Sequence, residues 1–571
     1  MSQSRGAKPG PEPAERVVIG IAFGNSNSSI AFTIDDKAEV IANEDGDRQI
    51  PTVLSYVDGD EYYGSHAKTF LVRNPSNTIA YFRDFLGKEF KAIDPTHCHA
   101  AAHPLDSAGT VNFSVKDKGP DDEPTSVSVA EAGTRYLRRL VHSASEYLGK
   151  KVTSAVIAVP TDCGDKQREA LIEAVNAAGV EVLQLISDPV AAALAYDARP
   201  EAVIEDKMVV VADFGGTRSD VAVIASRGGM YTILATVHDY EFAGVQLDQA
   251  LIDHFAKEFM KKHSTDPRSN PKSLAKLRLE AESTKKALSL GTNAQFSVES
   301  LADGYDFSMT LNRVRYEMLI RGVLAGFNRL VEGAVKKAGL DVLDIDEVIM
   351  CGGTSHTPRI ARNLADMFQT TTKILAPATS TTAVNPSELQ ARGAALQASL
   401  IQEYEMGDIE QSTHPAVTTV NHISNAIGVV AVGADGEETF TPVMQAETAA
   451  PARRIVHLGC AKDVGGDFLI KVVEGGTHIK VTKPPPKPQQ PVANGDKADD
   501  DSDSDDDSVE EEDKREKVWK IGRPLAEAAV SGVKKGGKVE VTINVAADLA
   551  ITMTAREVGS KGGVRGTLAA P

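Results

Sequence analysis

The chain predicts an α/β fold followed by a smaller β-rich domain, on three observations. Buried-strand runs alternate with helix-period patterns from about residue 16 to 400. A strand that runs into a glycine turn and a second strand occurs twice, around Gly24 and around Gly215 and Gly216, which reads as an internal duplication. From about residue 428 the pattern changes to short alternating segments, the period of half-buried strands.

In order, residues 1–15 are small, polar and Pro-rich and read as a flexible tail. Residues 17–21 form a short apolar strand leading through Gly24, Asn25 and Ser26 into another apolar run, a hairpin. Residues 154–159 read as a strand and 167–178 as an amphipathic helix stopped by Gly179. The strand at 208–212 runs into Asp213, Phe214, Gly215, Gly216 and Thr217, with 221–224 as its return. Helical patterns follow at 246–262, 274–289 and 316–338, and a further strand ends in Cys351, Gly352, Gly353 and Thr354. Beyond Gln402, Val539, Val541, Ile543 and Val545 alternate, as do Leu549, Ile551 and Met553. The Pro-rich stretch 483–490 and the acidic run after it lack core-forming residues, so 483–514 reads as a disordered insert. The expected organisation is a tail at 1–15, a nucleotide-binding domain at 16–400, a linker at 401–415, a β-sandwich at 416–560 and a tail at 561–571.

With 571 residues, 42% hydrophobic and 25% charged, the chain is too long for one core and ordinary for globular domains. The formal charge is −19, of which the twelve acids and one lysine of 496–513 contribute −11. The remainder is only mildly acidic, so no direct nucleic-acid binding is expected. Cys98, Cys163, Cys351 and Cys460 lie far apart without a CxxC pair, which suits a reducing compartment. His97, Cys98, His99 and His103 lack a second cysteine pair and sit among Pro and Ala, so they read as a loop and no metal is assigned. No apolar run reaches the roughly 18 residues that span a bilayer, and Pro9, Pro11 and Pro13 interrupt any signal-peptide core. A soluble, cytoplasmic chain without membrane contact is the expectation.

Three glycine turns, each following a strand, carry the chemistry. Such turns expose backbone N–H groups as an anion nest, and glycine lets a phosphate approach without a Cβ clash. Neither GxxxxGKS/T nor GxGxxG is present, which argues against the P-loop and the dinucleotide-binding fingerprint.

The motifs 20-GIAFGNSNSS-29, 42-ANEDGDRQIPT-52, 152-VTSAVIAVP-160, 187-SDPVAAALAY-196, 213-DFGGTRSD-220, 282-ESTKKALS-289, 351-CGGTSHTP-358 and 385-NPSELQARGAA-395 occur in the order of the heat-shock protein 70 superfamily, which the chain resembles over about residues 16–400. The resemblance implies a two-lobed actin-like ATPase fold with ATP between the lobes. It implies phosphate contacts at Gly24, Asn25, Ser26, Gly215, Gly216 and Thr217, and nucleotide contacts at Gly244, Glu282, Lys285, Lys286, Ser289, Gly352, Gly353 and Thr354; Arg218, next to them, is a further expected ATP contact.

The departures from that pattern imply a degenerate ATPase that binds ATP with little or no hydrolysis. Ala22 stands where the family has an aspartate that organises Mg²⁺, Arg83 where it has a lysine, Asp188 where it has a glutamate, and Arg218 where it has a threonine. Positioning and electrostatics supply most of phosphoryl-transfer catalysis, so four such changes are expected to be severe. Two dispositions of Arg218 stay open: reaching the β/γ phosphates, or pairing with Asp220 or facing solvent. The Mg²⁺ requirement is open too.

The segment 403-EYEMGDIEQSTHP-415 lacks the family's leucine-rich linker, and a C-terminal β-sandwich lacking a helical lid is expected. These joint departures are similar to an atypical fungal branch of the family that pairs with the J-domain protein zuotin in the ribosome-associated complex. That implies ribosome association through the partner, a role in nascent-chain folding and possible contact with nascent polypeptide. Alternatives are an independent ATP-hydrolysing chaperone or a nucleotide-exchange factor of the same superfamily. A sugar or acetate kinase on the same fold would need an acceptor site that no motif supplies.

Overall fold

The computed structural model describes residues 16–97, 102–118, 121, 123–199, 202–413, 418–432, 438–459, 465–482, 514–560 and 562–568. The N-terminal tail, Cys98, His99, Cys460 and the acidic run lie outside the described residues. The chain divides into two units after Thr418.

The first unit is built on two sheets of matching topology. One runs Glu181–Ser187, Ser154–Val159, Val18–Ala22, Asn27–Ile34, Lys37–Ile41; the other runs Lys373–Leu375, Glu347–Cys351, Lys207–Phe214, Ser219–Arg227, Met230–Asp239. In each, the central strand has a parallel neighbour on one side and its own hairpin return on the other. Gly20 lies opposite Val156 and Ala31, and Val211 opposite Ile349 and Ala222. The expected duplication is therefore a repeat of strand order, and the two lobes of an actin-like α/β fold follow from it.

The central strands read as continuous apolar runs because both of their faces are covered. Val210, Ala212 and Phe214 enter one core with Phe255 and Phe327, while Val209 and Val211 enter another with Ile349 and Tyr196. The helix Leu389–Ile401 lies where backbones come closest. A Cβ on Gly20 would stand 2.2 Å from the Ala395 nitrogen, and one on Gly393 would stand 1.9 Å from the Ala191 oxygen. These glycines are demanded by contact distance, since neither has a positive φ.

Two expectations in this unit need correction. The single helix at 316–338 is two helices, Arg313–Leu319 and Arg321–Lys337, with buried Ile320 out of helical geometry between them. Asn312 starts the first helix earlier than the apolar period suggests, its side chain accepting from the Arg315 nitrogen. The segment 401–415, expected as a linker, contains the helix Met406–Thr413. Its Ile409 is buried with Ala394, Ala398 and Ile401, so one apolar side chain draws that part of the segment onto the first unit.

The second unit is a sandwich of two four-stranded antiparallel sheets. One is ordered Glu438–Met444, Ala426–Val432, Gly466–Thr482, Lys514–Val533, and the other Ala452–Gly459, Lys538–Val545, Ile551–Glu557, Val564–Leu568. Val539, Val541, Ile543 and Val545 are fully buried and face Val429, Ile470 and Val472 across a shared core. Among the described residues from 419 onward, every regular element is a strand. The last strand lies in the segment expected as a tail, where Leu568 pairs with Ile551. Its short run with alternating partial exposure has the weak pattern of an edge strand.

Replacing Gly393 by Ala forces the closing helix away from the Ala191 carbonyl. A loss of about 1–3 kcal/mol is expected, as for other over-packed sites, read as a lower urea midpoint of the first unit's transition. An unchanged midpoint would show that the helix can shift freely.

Candidate functional site

The three glycine turns converge on one place. A Cβ on Gly24 would stand 2.2 Å from the Asn27 oxygen, and one on Gly216 would stand 2.3 Å from Ser26 Oγ, so the two hairpin turns face each other closely. Across that gap Asn25 Nδ2 donates to Thr217 Oγ1 at 3.0 Å. The Gly215 carbonyl accepts from the Gly244 nitrogen at 3.0 Å and from Thr354 Oγ1 at 2.8 Å, which brings a helix start and the third turn to the same point. Gly352 has φ +78°, and a Cβ there would stand 2.5 Å from Asp213 Oδ1. Gly244 begins the long helix Gly244–His263, whose N-terminal dipole favours an anion.

These residues fit a phosphate chain on a structural criterion. Ser26 Oγ is buried with no hydrogen-bond partner, and a buried hydroxyl left unpaired costs free energy unless a ligand or water meets it. It stands beside turns whose glycines leave no side chain in the way.

Glu282, Lys285, Lys286 and Ser289 occupy one face of the helix Pro271–Leu290, at the i, i+3, i+4, i+7 spacing. Lys68 Nζ donates to both Glu282 oxygens at 2.7 Å, and Lys286 Nζ lies 2.8 Å from the same carboxylate. Burial would raise the Glu282 carboxyl, but Lys68, Lys286 and Lys285 outweigh it and hold the group below the usual range. Lys285 Nζ pairs with Asp248 at 2.8 Å and donates to the Gly244 carbonyl at 3.1 Å. Ser289 Oγ donates to the Lys285 carbonyl at 3.1 Å.

On the other side of the turns lies a knot of two arginines and five aspartates. Ala22 ends its strand with a methyl group opposite Ala158 and Ser29. Arg83 Nη1 stands 3.2 Å from Asp84 Oδ1, while its Nε is buried without a partner. Arg218 takes the second of the two dispositions left open by the sequence. Its Nε donates to Asp220 Oδ2 at 2.7 Å, its Nη2 donates to Asp162 Oδ1 at 2.8 Å and also pairs with Asp220 Oδ1, and its Nη1 reaches Asp162 Oδ2 at 3.2 Å. The same Nη1 donates to Tyr240 Oη at 3.3 Å, and Tyr240 donates to Asp84 Oδ2 at 3.3 Å. Arg218 is 7% exposed and is held here as an internal clamp.

Asp188 and Asp213 complete the knot. Burial pushes the Asp188 carboxyl up to about 7, with Arg83 opposing, and the Asp213 carboxyl up to about 8, with Asp188 and Asp220 adding to the rise. Asp213 Oδ2 accepts from Gln390 Nε2 at 2.9 Å. A cavity of about 20 Å³ lies among Asp188, Asp213, Asp220 and Gln390, and one of about 30 Å³ among Arg83, Asp84, Asp162 and Arg218.

Sequence reasoning passed over Lys68, Asp84, Asp162, Tyr240, Asp248 and Gln390. Asp162 sits just past the motif 152–160 and Asp84 is next to Arg83. The available signal was the added arginine itself, because a buried guanidinium requires carboxylate partners. Lys68, Tyr240 and Asp248 come from distant segments and had no local signature.

The Hsp70 protein family matches residues 18–482 of the chain. The ribosome-associated complex subunit SSZ1 of Saccharomyces cerevisiae is 42% identical over 554 residues, covering 96% of this chain and 99% of that protein. A heat shock protein 70 homolog of Schizosaccharomyces pombe is 41% identical, covering 97% and 96%. The Heat shock 70 kDa protein 14 of Xenopus tropicalis is 31% identical, covering 76% and 84%.

The raised carboxyls predict a pH dependence. An aspartate unfolds to its ordinary value of 3.8, whereas folded Asp188 keeps its proton to about 7 and Asp213 to about 8. The folded state binds more protons in that window, so their contribution is full below the unfolded value and is lost as pH rises through the folded one. Asp188→Asn should therefore flatten the decline in urea stability between about pH 4 and 8; a profile parallel to that of the unaltered protein would refute the assignment.

Proposed function

The chain belongs to the Hsp70 family, and from that premise we propose that it is a ribosome-associated complex subunit that binds ATP with little or no hydrolysis and supports a J-domain partner. It would meet the ribosome through that partner, in the cytoplasm, and act in nascent-chain folding. What supports the assembly is the likeness to the yeast subunit along nearly the whole of both chains. What supports the loss of turnover is the clamp of Arg218 between Asp162 and Asp220.

In this reading the backbone amides of Gly24, Asn25 and Ser26 and of Gly215, Gly216 and Thr217 hold the phosphates, with Ser26 Oγ gaining the partner it lacks. Gly352, Gly353 and Thr354 with Glu282, Lys285, Lys286 and Ser289 frame the nucleoside side, and Gly244 closes the floor. ATP, when bound, supplies a phosphate chain that joins the turns of the two lobes.

Hydrolysis needs a group that positions water and takes its proton. Arg83 and Arg218 stay protonated and cannot accept one. Asp220 and Asp162 are engaged by Arg218, and Asp84 by Arg83 and Tyr240. Asp188 and Asp213 are held near or above neutrality, which thins their ionised fraction. Binding and turnover therefore separate, because the amide nests do not depend on the side chains that would activate water.

A single-turnover assay of the purified chain with labelled ATP tests the chemistry. Retained nucleotide with almost no released phosphate is expected, and release at the rate of a hydrolysing family member would refute the reading in favour of an independent chaperone. Tagged purification from the native host tests the assembly. A J-domain protein and ribosomes are expected at low salt, whereas recovery of the chain alone would refute it.

A further inference from the structure

Resting on the ATP-binding reading above, we propose that Arg218 is a built-in replacement for a bound cation: it neutralises the carboxylates behind the phosphate turns from within, so that this chain takes ATP without a divalent ion.

The carboxylates do not fit Mg²⁺, a small ion that demands oxygen ligands in near-ideal octahedral geometry and keeps several waters. Ala22 offers no oxygen. Both oxygens of Asp220 and both of Asp162 accept from Arg218, and Asp84 is divided between Arg83 and Tyr240. Asp213 accepts from Gln390 on one oxygen and has the Gly352 backbone against the other. Asp188 remains, so a hydrated ion would rest on that carboxylate and on the phosphates themselves, with little further support from the chain.

The charges lead to the same conclusion. Ala22 brings no charge to the site, and Arg218 brings a buried positive one among the aspartates. A guanidinium is the residue head group that carries this role best, because it stays charged when buried and its planar fork grips two carboxylates at once. Arg218 spends its donors on Asp162, Asp220 and Tyr240. Its effect on the phosphates is therefore indirect: it removes a repulsion. The Arg218 carbonyl also accepts from the Gly215 nitrogen at 3.0 Å, so the clamp and the phosphate turn are one rigid piece.

Titration of the full-length chain with a fluorescent ATP analogue, in excess Mg²⁺ and in excess EDTA, tests this. The two dissociation constants are expected to agree within about threefold. Binding in Mg²⁺ that weakens by about tenfold or more in EDTA overturns the inference and leaves the ATP reading standing. Failure to bind in either condition overturns the ATP reading itself. Arg218→Thr should uncover Asp162 and Asp220, weaken binding in EDTA by about tenfold or more and recover with Mg²⁺, whereas Arg218→Lys should keep cation-free binding. A folded threonine variant that binds unchanged in EDTA overturns the role of Arg218. If that variant fails to fold by circular dichroism, the lysine variant decides, and loss of its binding in EDTA with recovery in Mg²⁺ overturns cation replacement by charge.

Discussion

A positive charge buried between two lobes organises this site. Arg218 is 7% exposed, and a charge removed from water is tolerated only when opposite charges surround it. Asp220 comes from the adjacent strand, Asp162 from the turn after a strand of the other sheet, and Tyr240 from the end of a third hairpin strand. Through Tyr240 the network continues to Asp84 and Arg83. Removing the guanidinium would leave a patch of unneutralised carboxylates, so the ion pairs of Arg218 also tie the two sheets together.

The scaffold beneath this network tolerates little motion because it is assembled at backbone contact distance. The strand starting at Val18 and the helix Leu389–Ile401 meet at Gly20, and that helix meets the helix Asp188–Asp197 at Gly393. Asp188 is the first residue of one helix and Gln390 lies on the other, so the packing that excludes side chains at the glycines also sets where the acids stand. Burial of those acids, in turn, raises their protonation range. A local change in helix packing is thereby coupled to the electrostatics beside the glycine turns.

ATP binding and ATP hydrolysis place different demands on the chain. Binding asks for backbone amides and open glycine turns, which a fold can retain while side chains around it drift. Hydrolysis asks for a proton acceptor and an ordered water, which depend on individual head groups. The site keeps the open glycine turns that the first demand needs, while Arg218 engages Asp162 and Asp220, two of the carboxylates that stand near them.

Much of this was legible in the residues themselves. Strand runs such as 208–212 and the alternation at Val539, Val541, Ile543 and Val545 are determined by local burial period, and the glycine turns by local backbone freedom and approach. The identities of Ala22, Arg83, Asp188 and Arg218 were plain in the sequence, because they are properties of single positions. Where the apolar period was weak or interrupted, tertiary contact decided. Ile320 breaks a helix that the pattern would continue, Ile409 draws a polar segment onto a core, and Leu568 becomes an edge strand by pairing with Ile551. The direction of Arg218 was also decided in three dimensions. Pairing with Asp220 was visible as a local option, but Asp162 is 56 residues away in the chain, and the balance between phosphate and carboxylate as its partner depends on distances that only the folded sheets set.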